Sequence, residues 1–156
     1  MKPVFFALFF VCVVGLSSYK PINRLITYNG ERKTTAAGIS FIEGDWKKAL
    51  AKAKAEKKLI FIDAYTTWCG PCKKLQKDVF PDAAVGSYFN KNFVNITIDI
   101  EKGQGIEFGQ KYGVEVLPTL YITDENGNPI TYAKGYISAS DLLKFGQFGV
   151  QKASKK

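Results

Sequence analysis

Residues 59–65 read LIFIDAY, apolar or aromatic at every position but one. The run is too short for a helix and rich in strand formers, and it lacks the alternation of a half-exposed strand. Such a run suits a strand covered on both faces, as in a parallel sheet. Covering both faces takes helices on each side, so this segment restricts the fold class more than any other.

The flanking chain supplies those helices. Residues 39–44, ISFIEG, read as a short strand. In residues 45–58, DWKKALAKAKAEKK, Asp45 can cap a helix whose Trp46, Ala49, Leu50 and Ala53 recur at helical spacing. Its lysines form a solvated face. After LIFIDAY, residues 73–80, KKLQKDVF, have helical character that Pro81 ends. Asp82 can cap a second short helix, AAVGSYFN. FVNITIDI, residues 93–100, is a strand, and GIEFGQKYG, residues 105–113, a helix. Two strand-like runs flank Asn126-Gly127, a strong hairpin signal. SASDLLKFGQFGV, residues 138–150, closes as a capped helix, and QKASKK, 151–156, is expected to be a basic frayed tail. Strands separated by helices pair in parallel, and the hairpin adds antiparallel strands at one side. The expected architecture is α/β, a central mixed β-sheet flanked by helices.

The first residues stand apart from that domain. Lys2 is a short positive start, and Val4 to Val14 is an apolar run of signal-peptide length, short for a bilayer span. Gly15 and Ser17 supply the small residues of a cleavage site, so a signal peptide over 1–17 is expected, with an uncleaved membrane anchor as the alternative. Residues 18–38 read as an N-terminal arm or linker, and 39–150 as the folded domain. The leader takes Cys12 with it. Of three cysteines, Cys69 and Cys72 then remain in the mature chain. Export implies an oxidising compartment, the periplasm, with membrane association left open. The net charge of +8 allows attraction to acidic partners or anionic lipid. No nucleic-acid-reading motif is present, so nucleic acid is not an expected partner.

The chemistry centres on TTWCGPCKK, residues 66–74. Cys69 stands where the buried strand gives way to a helix, and Pro71 fits that helix's first turn, where its missing N–H is no loss. The helix N-terminus and the nearby Lys73 and Lys74 favour a thiolate, so Cys69 is the expected nucleophile with a lowered pKa. Cys72, one turn inside, is expected to be more buried and to resolve the mixed disulfide. A quiet structural disulfide is the plainer alternative, but a two-residue spacer constrains the unfolded chain little. A structural zinc site wants four Cys or His ligands, and the chain has no histidine, so no metal is expected. Asp63 is an unexpected charge within an apolar strand; burial would raise its pKa and suit it to exchange a proton with Cys72.

LIFIDAYTTWCGPCKK, VEVLPTLYI and NGNPITYAKGYISASDLLKF together resemble the thioredoxin family over roughly residues 39–150. The stretch DVFPDAAVGSYFNKNFV is closer to the thioredoxin-like domains of exported thiol:disulfide interchange proteins. The resemblance implies a thioredoxin fold and a redox-active Cys69–Cys72 pair, with no other cofactor. It matches Cys69 to the attacking cysteine, Cys72 to the resolving one and Asp63 to the buried aspartate that serves it. Trp68 matches the tryptophan flanking the site, and Gly70 and Pro71 the spacer. Pro118 matches a cis-proline that would expose the Leu117 backbone to an extended substrate, and Gly135 a glycine near that groove. One departure is Asn95, which stands where thioredoxin has a lysine beside the buried aspartate.

The expected activity is that of a thioredoxin-like protein-disulfide reductase, with oxidase or isomerase chemistry and a non-catalytic, redox-locked peptide-binding module as alternatives. The expected partners are disulfide-containing client proteins and a transmembrane thiol reductase as electron donor. A monomer is expected.

Overall fold

The computed structural model describes residues 38–155. The expected leader and residues 18–37 of the arm lie outside the described residues. The elements run β1 (Phe41–Glu43), α1 (Trp46–Glu56), β2 (Leu59–Tyr65), α2 (Gly70–Asp78), α3 (Ala83–Asn92), β3 (Phe93–Asp99), α4 (Gln104–Tyr112), β4 (Thr119–Thr123), β5 (Pro129–Lys134) and α5 (Ala139–Ala153). The five strands form one mixed sheet in the order β1-β3-β2-β4-β5. β2 lies at its centre, parallel to β3 and antiparallel to β4. Its five interior residues are all buried, as its apolar run requires, and Asp63 is buried with them.

Alternation along the strands divides the core into two layers. Phe61 of β2, with Leu120 and Ile122 of β4, packs under α2, α3 and α5 through Leu75, Phe89 and Leu142. Ile60, Ile62 and Ala64 face the other way, toward Ala49 and Ala53 of α1 and Phe108 of α4. Each fully buried Leu, Ile or Phe contributes about 1.5–3 kcal/mol, so both layers are needed to hold the sheet. Asp63 shares the parity of Phe61 and therefore faces the α2 side.

Oxygen side-chain caps set the starts of α1, α3 and α5. Asp45 Oδ1 accepts from the Lys48 amide, Asp82 Oδ1 from those of Ala84 and Val85, and the Ser138 hydroxyl from that of Asp141. α2 starts at Gly70 and stops at Asp78, two residues before the end expected at Phe80. The residue before a proline avoids the α region, so the chain leaves the helix at Val79 and Phe80 ahead of Pro81. Conversely, α5 continues to Ala153, into the segment expected to fray, because Val150 and Ala153 pack against the core. Gly38, the last residue assigned to the arm, is buried at the domain's edge: a Cβ there would lie 2.7 Å from the Phe80 carbonyl oxygen.

Candidate functional site

The end of β2 delivers the chain to the dithiol. Cys69 is the N-cap of α2, with Gly70 and Pro71 in the exposed first turn. Cys69 and Cys72 are joined in a disulfide with their Cα atoms 5.3 Å apart. The Cys72 amide donates to Cys69 Sγ at 3.2 Å, so the cap that opens the helix is the sulfur expected to attack. Cys69 is 4% exposed and Cys72 wholly buried, the order expected from their positions.

Asp63 lies completely buried on the same side of the sheet as α2, and neither carboxylate oxygen has a hydrogen-bond partner among the described residues. Burial pushes its pKa up to about 7. The Gln76 side chain, from α2, opposes that rise without closing a regular hydrogen bond. Gln76 was not singled out from the sequence. Its position four residues after Cys72, one helical turn along the same face, is the signal that could have found it. A pocket of about 410 Å³ is lined by Gln76, by Thr97, the cross-strand neighbour of Asp63, and by Tyr65 and Glu43, while Asp63 itself stays buried behind that lining. Asn95 pairs instead with Phe61, and its amide is turned toward the Ser40 carbonyl and Asn90.

Strand register assembles the rest. Ala64 pairs with Thr119, so Pro118 falls at the end of the sheet where β2 runs on to the dithiol. The Leu117–Pro118 bond is cis. Thr119 pairs with Lys134, and the Gly135 amide donates to the Pro118 carbonyl at 2.7 Å, which ties these two residues to each other. Gly135 has φ +85°, a conformation L side chains rarely adopt. Trp68 is 67% exposed, and its Nε1 donates to both carboxylate oxygens of Glu101 at 3.1 Å. Lys74 Nζ sits 4.8 Å from the Tyr136 ring centre. Glu101 and Tyr136 carry no motif of their own, so their roles emerge only in the fold. Among the described residues no cluster of three or more Cys, His, Asp or Glu could hold a metal ion.

A model of the thioredoxin-like domain matches residues 46–149. The chain belongs to the thioredoxin-like family. It is 32% identical over 143 residues to the thiol:disulfide interchange protein DsbD of Vibrio vulnificus, covering 86% of this chain but only 24% of that relative. It is also 32% identical over 79 residues to thioredoxin-1 of Drosophila melanogaster, covering 51% of this chain and 69% of the fly protein. Among solved structures, a disulphide-isomerase candidate from Bacteroides thetaiotaomicron superposes with a TM-score of 0.65 at 47% identity, covering 74% of this chain and 95% of that one. A Thermus thermophilus thioredoxin, at 19% identity and a TM-score of 0.63, shares the fold, with 70% of this chain and 87% of that one covered. This thioredoxin-like chain is accordingly a thiol:disulfide oxidoreductase by family, with its disulfide at the head of α2.

Proposed function

We propose that the chain is an exported reductase of substrate disulfides. In the dithiol form the Cys69 thiolate attacks one sulfur of a client disulfide, forming a mixed disulfide and releasing the other client sulfur as a thiolate. Cys72 then loses its proton to Asp63 and attacks Cys69 Sγ, closing the pair and freeing the second client thiol. Two electrons pass to the client; the second client sulfur takes the proton held by Asp63, and the first, released as a thiolate, takes its proton from solvent, where Cys69 had left its own. Asp63 suits the proton step because its pKa of about 7 lets it hold or release a proton near neutrality. The Leu117 backbone and Gly135 would hold an extended client segment by strand-like pairing, with Trp68 at its rim.

The observation that carries this reading is the Cys69–Cys72 pair on the first turn of α2, the helix that covers the sheet face on which Asp63 is buried without a hydrogen-bond partner among the described residues. The Gly-Pro spacer, shared with thioredoxin, and the absence of histidine favour the reducing direction. The positive start and apolar run of residues 4–14 support export, and a reductant beyond the cytoplasm needs a transmembrane thiol reductase to recharge it. Isomerase chemistry is the second reading, favoured by the 47% identity to the Bacteroides disulphide-isomerase candidate.

The deciding measurement is the reduction potential of the pair against defined redox buffers. A value near about −270 mV supports the reductase, one near about −180 mV the isomerase, and one near about −120 mV reverses the direction to oxidation. Trapping with Cys72→Ser would identify clients as mixed disulfides on Cys69. No trapped client, together with no turnover of a model disulfide, would leave only the non-catalytic binding module.

A further inference from the structure

A second recess lies along the outer edge of the sheet and takes no part in the dithiol chemistry. Among the described residues β5 is the edge strand, paired only with β4, and a cavity of about 620 Å³ runs beside it. Its walls include Tyr112, Tyr121 and Tyr132, and its charges are Lys111 from α4, Lys134 from β5 and Lys152 from α5, with no carboxylate among the lining residues. The three lysines have no ion-pair partner among the described residues; their ammonium groups lie over rings instead. Lys111 Nζ is 5.6 Å from the Tyr112 centre, Lys134 Nζ 5.8 Å from Tyr132 and Lys152 Nζ 5.8 Å from Phe148. The carboxylate of the adjoining hairpin, Asp124, is engaged by the amides of Asn126 and Asn128. The tyrosines are held as a wall: Tyr112 Oη donates to the Gly127 carbonyl at 2.6 Å, Tyr121 Oη to the Tyr112 carbonyl at 3.1 Å, and the Tyr121 and Tyr132 rings are 6.0 Å apart. Tyr132 is nevertheless 59% exposed.

From this arrangement we infer that the β5 edge is a docking site for an extended acidic segment of a protein partner, separate from the dithiol. Three elements each contribute one positive charge, which suits several carboxylates spaced along a chain better than a single small anion. The free strand edge supplies backbone pairing to such a segment, and the tyrosine wall supplies apolar contact for its alternate side chains. A flat lipid surface cannot enter a recess, which sets a membrane aside as the occupant. Lys134 immediately precedes Gly135, so a segment seated here lies next to the client groove.

The test is fluorescence anisotropy with the full chain and a blocked, cysteine-free peptide of about eight residues alternating glutamate with valine, long enough to run beside β5. The glutamate peptide binds, its glutamine counterpart does not, and raising salt from about 0.05 to about 0.5 M weakens binding. Lys111→Ala, Lys134→Ala and Lys152→Ala each weaken it about threefold and the triple variant about thirtyfold. Cys69→Ser binds the peptide as the unaltered chain does, so this result stands whether or not the redox reading does. Equal binding of the glutamine peptide, or an unchanged affinity in the triple variant, overturns the site. So does lysine-dependent binding to vesicles containing phosphatidylglycerol in the absence of peptide binding, which would make the patch a membrane contact.

Discussion

Asp63 is a carboxylate held in the native state against its own solvation. Its pKa stands at about 7 in the fold against 3.8 for the free group. Between those values the native protein keeps a proton that the unfolded chain releases, so stability falls as pH rises through that window. Above it the full penalty is present, at most about 4 kcal/mol for a shift of roughly three units. Asp63→Asn is therefore expected to stabilise the oxidised protein by up to that amount at pH about 8, and by almost nothing near pH 4. Urea denaturation at the two pH values measures the difference, and an equal gain at both would detach the effect from ionisation. The same variant is expected to slow resolution of a mixed disulfide in single turnover. Trp68 behaves in the opposite way. Exposed, and hydrogen-bonded among the described residues to the exposed Glu101, it adds little to the fold. Trp68→Ala should leave stability within about 0.5 kcal/mol while lowering turnover of a protein client more than that of a small disulfide. Parallel losses on both substrates would mean that Trp68 acts on the dithiol and not on the client.

Among the described residues, four of the five helices, all but α4, begin where a side chain accepts from a first-turn amide, and α4 packs where glycine lets backbones meet. α3 depends on Asp82, which caps two amides at 2.9 Å each. Asp82→Ala should cost about 1 kcal/mol, read as a lowered urea midpoint with an unchanged slope. α4 depends on close approach: a Cβ on Gly105 would lie 1.9 Å from the Asp99 carbonyl oxygen, so the helix must move away from β3. Gly105→Ala should destabilise by about 3 kcal/mol, the upper range for overpacking. A similar cost for both variants would mean that the α4 contact yields more easily than its geometry indicates. The caps were legible in the sequence, because Asp45, Asp82 and Ser138 each precede a run of helical periodicity. The close approach of Gly105 was not, since glycine carries no pattern that names its neighbour.

At the level of the whole molecule, the two core layers share one sheet, so loss in either should be felt throughout. Phe89 meets Phe61, Phe93 and Tyr88 at ring-centre distances of 4.6, 5.1 and 5.9 Å. Phe89→Ala is expected to cost about 3–5 kcal/mol. Because both redox forms share this core, the reduction potential of the Cys69–Cys72 pair should move by less than about 15 mV. Denaturation followed alongside redox titration would check both, and a large shift in potential would mean that the aromatic layer supports one redox form more than the other.

Local chemistry was settled by the sequence itself. Apolarity at all but one position made LIFIDAY a central strand, the Cys-Gly-Pro-Cys spacing placed a dithiol on a helix start, and periodicity located the remaining elements. These follow from interactions within a few residues, where the chain has little choice. Tertiary structure decided what touches what. The order of the strands, the run of α5 to Ala153, the turn of Gln76 toward Asp63, the tie from Trp68 to Glu101 and the lysine-lined recess at β5 all join residues distant in the chain or depend on packing against them. Such pairings depend on which faces the sheet buries and which register its strands take, and no local pattern encodes either.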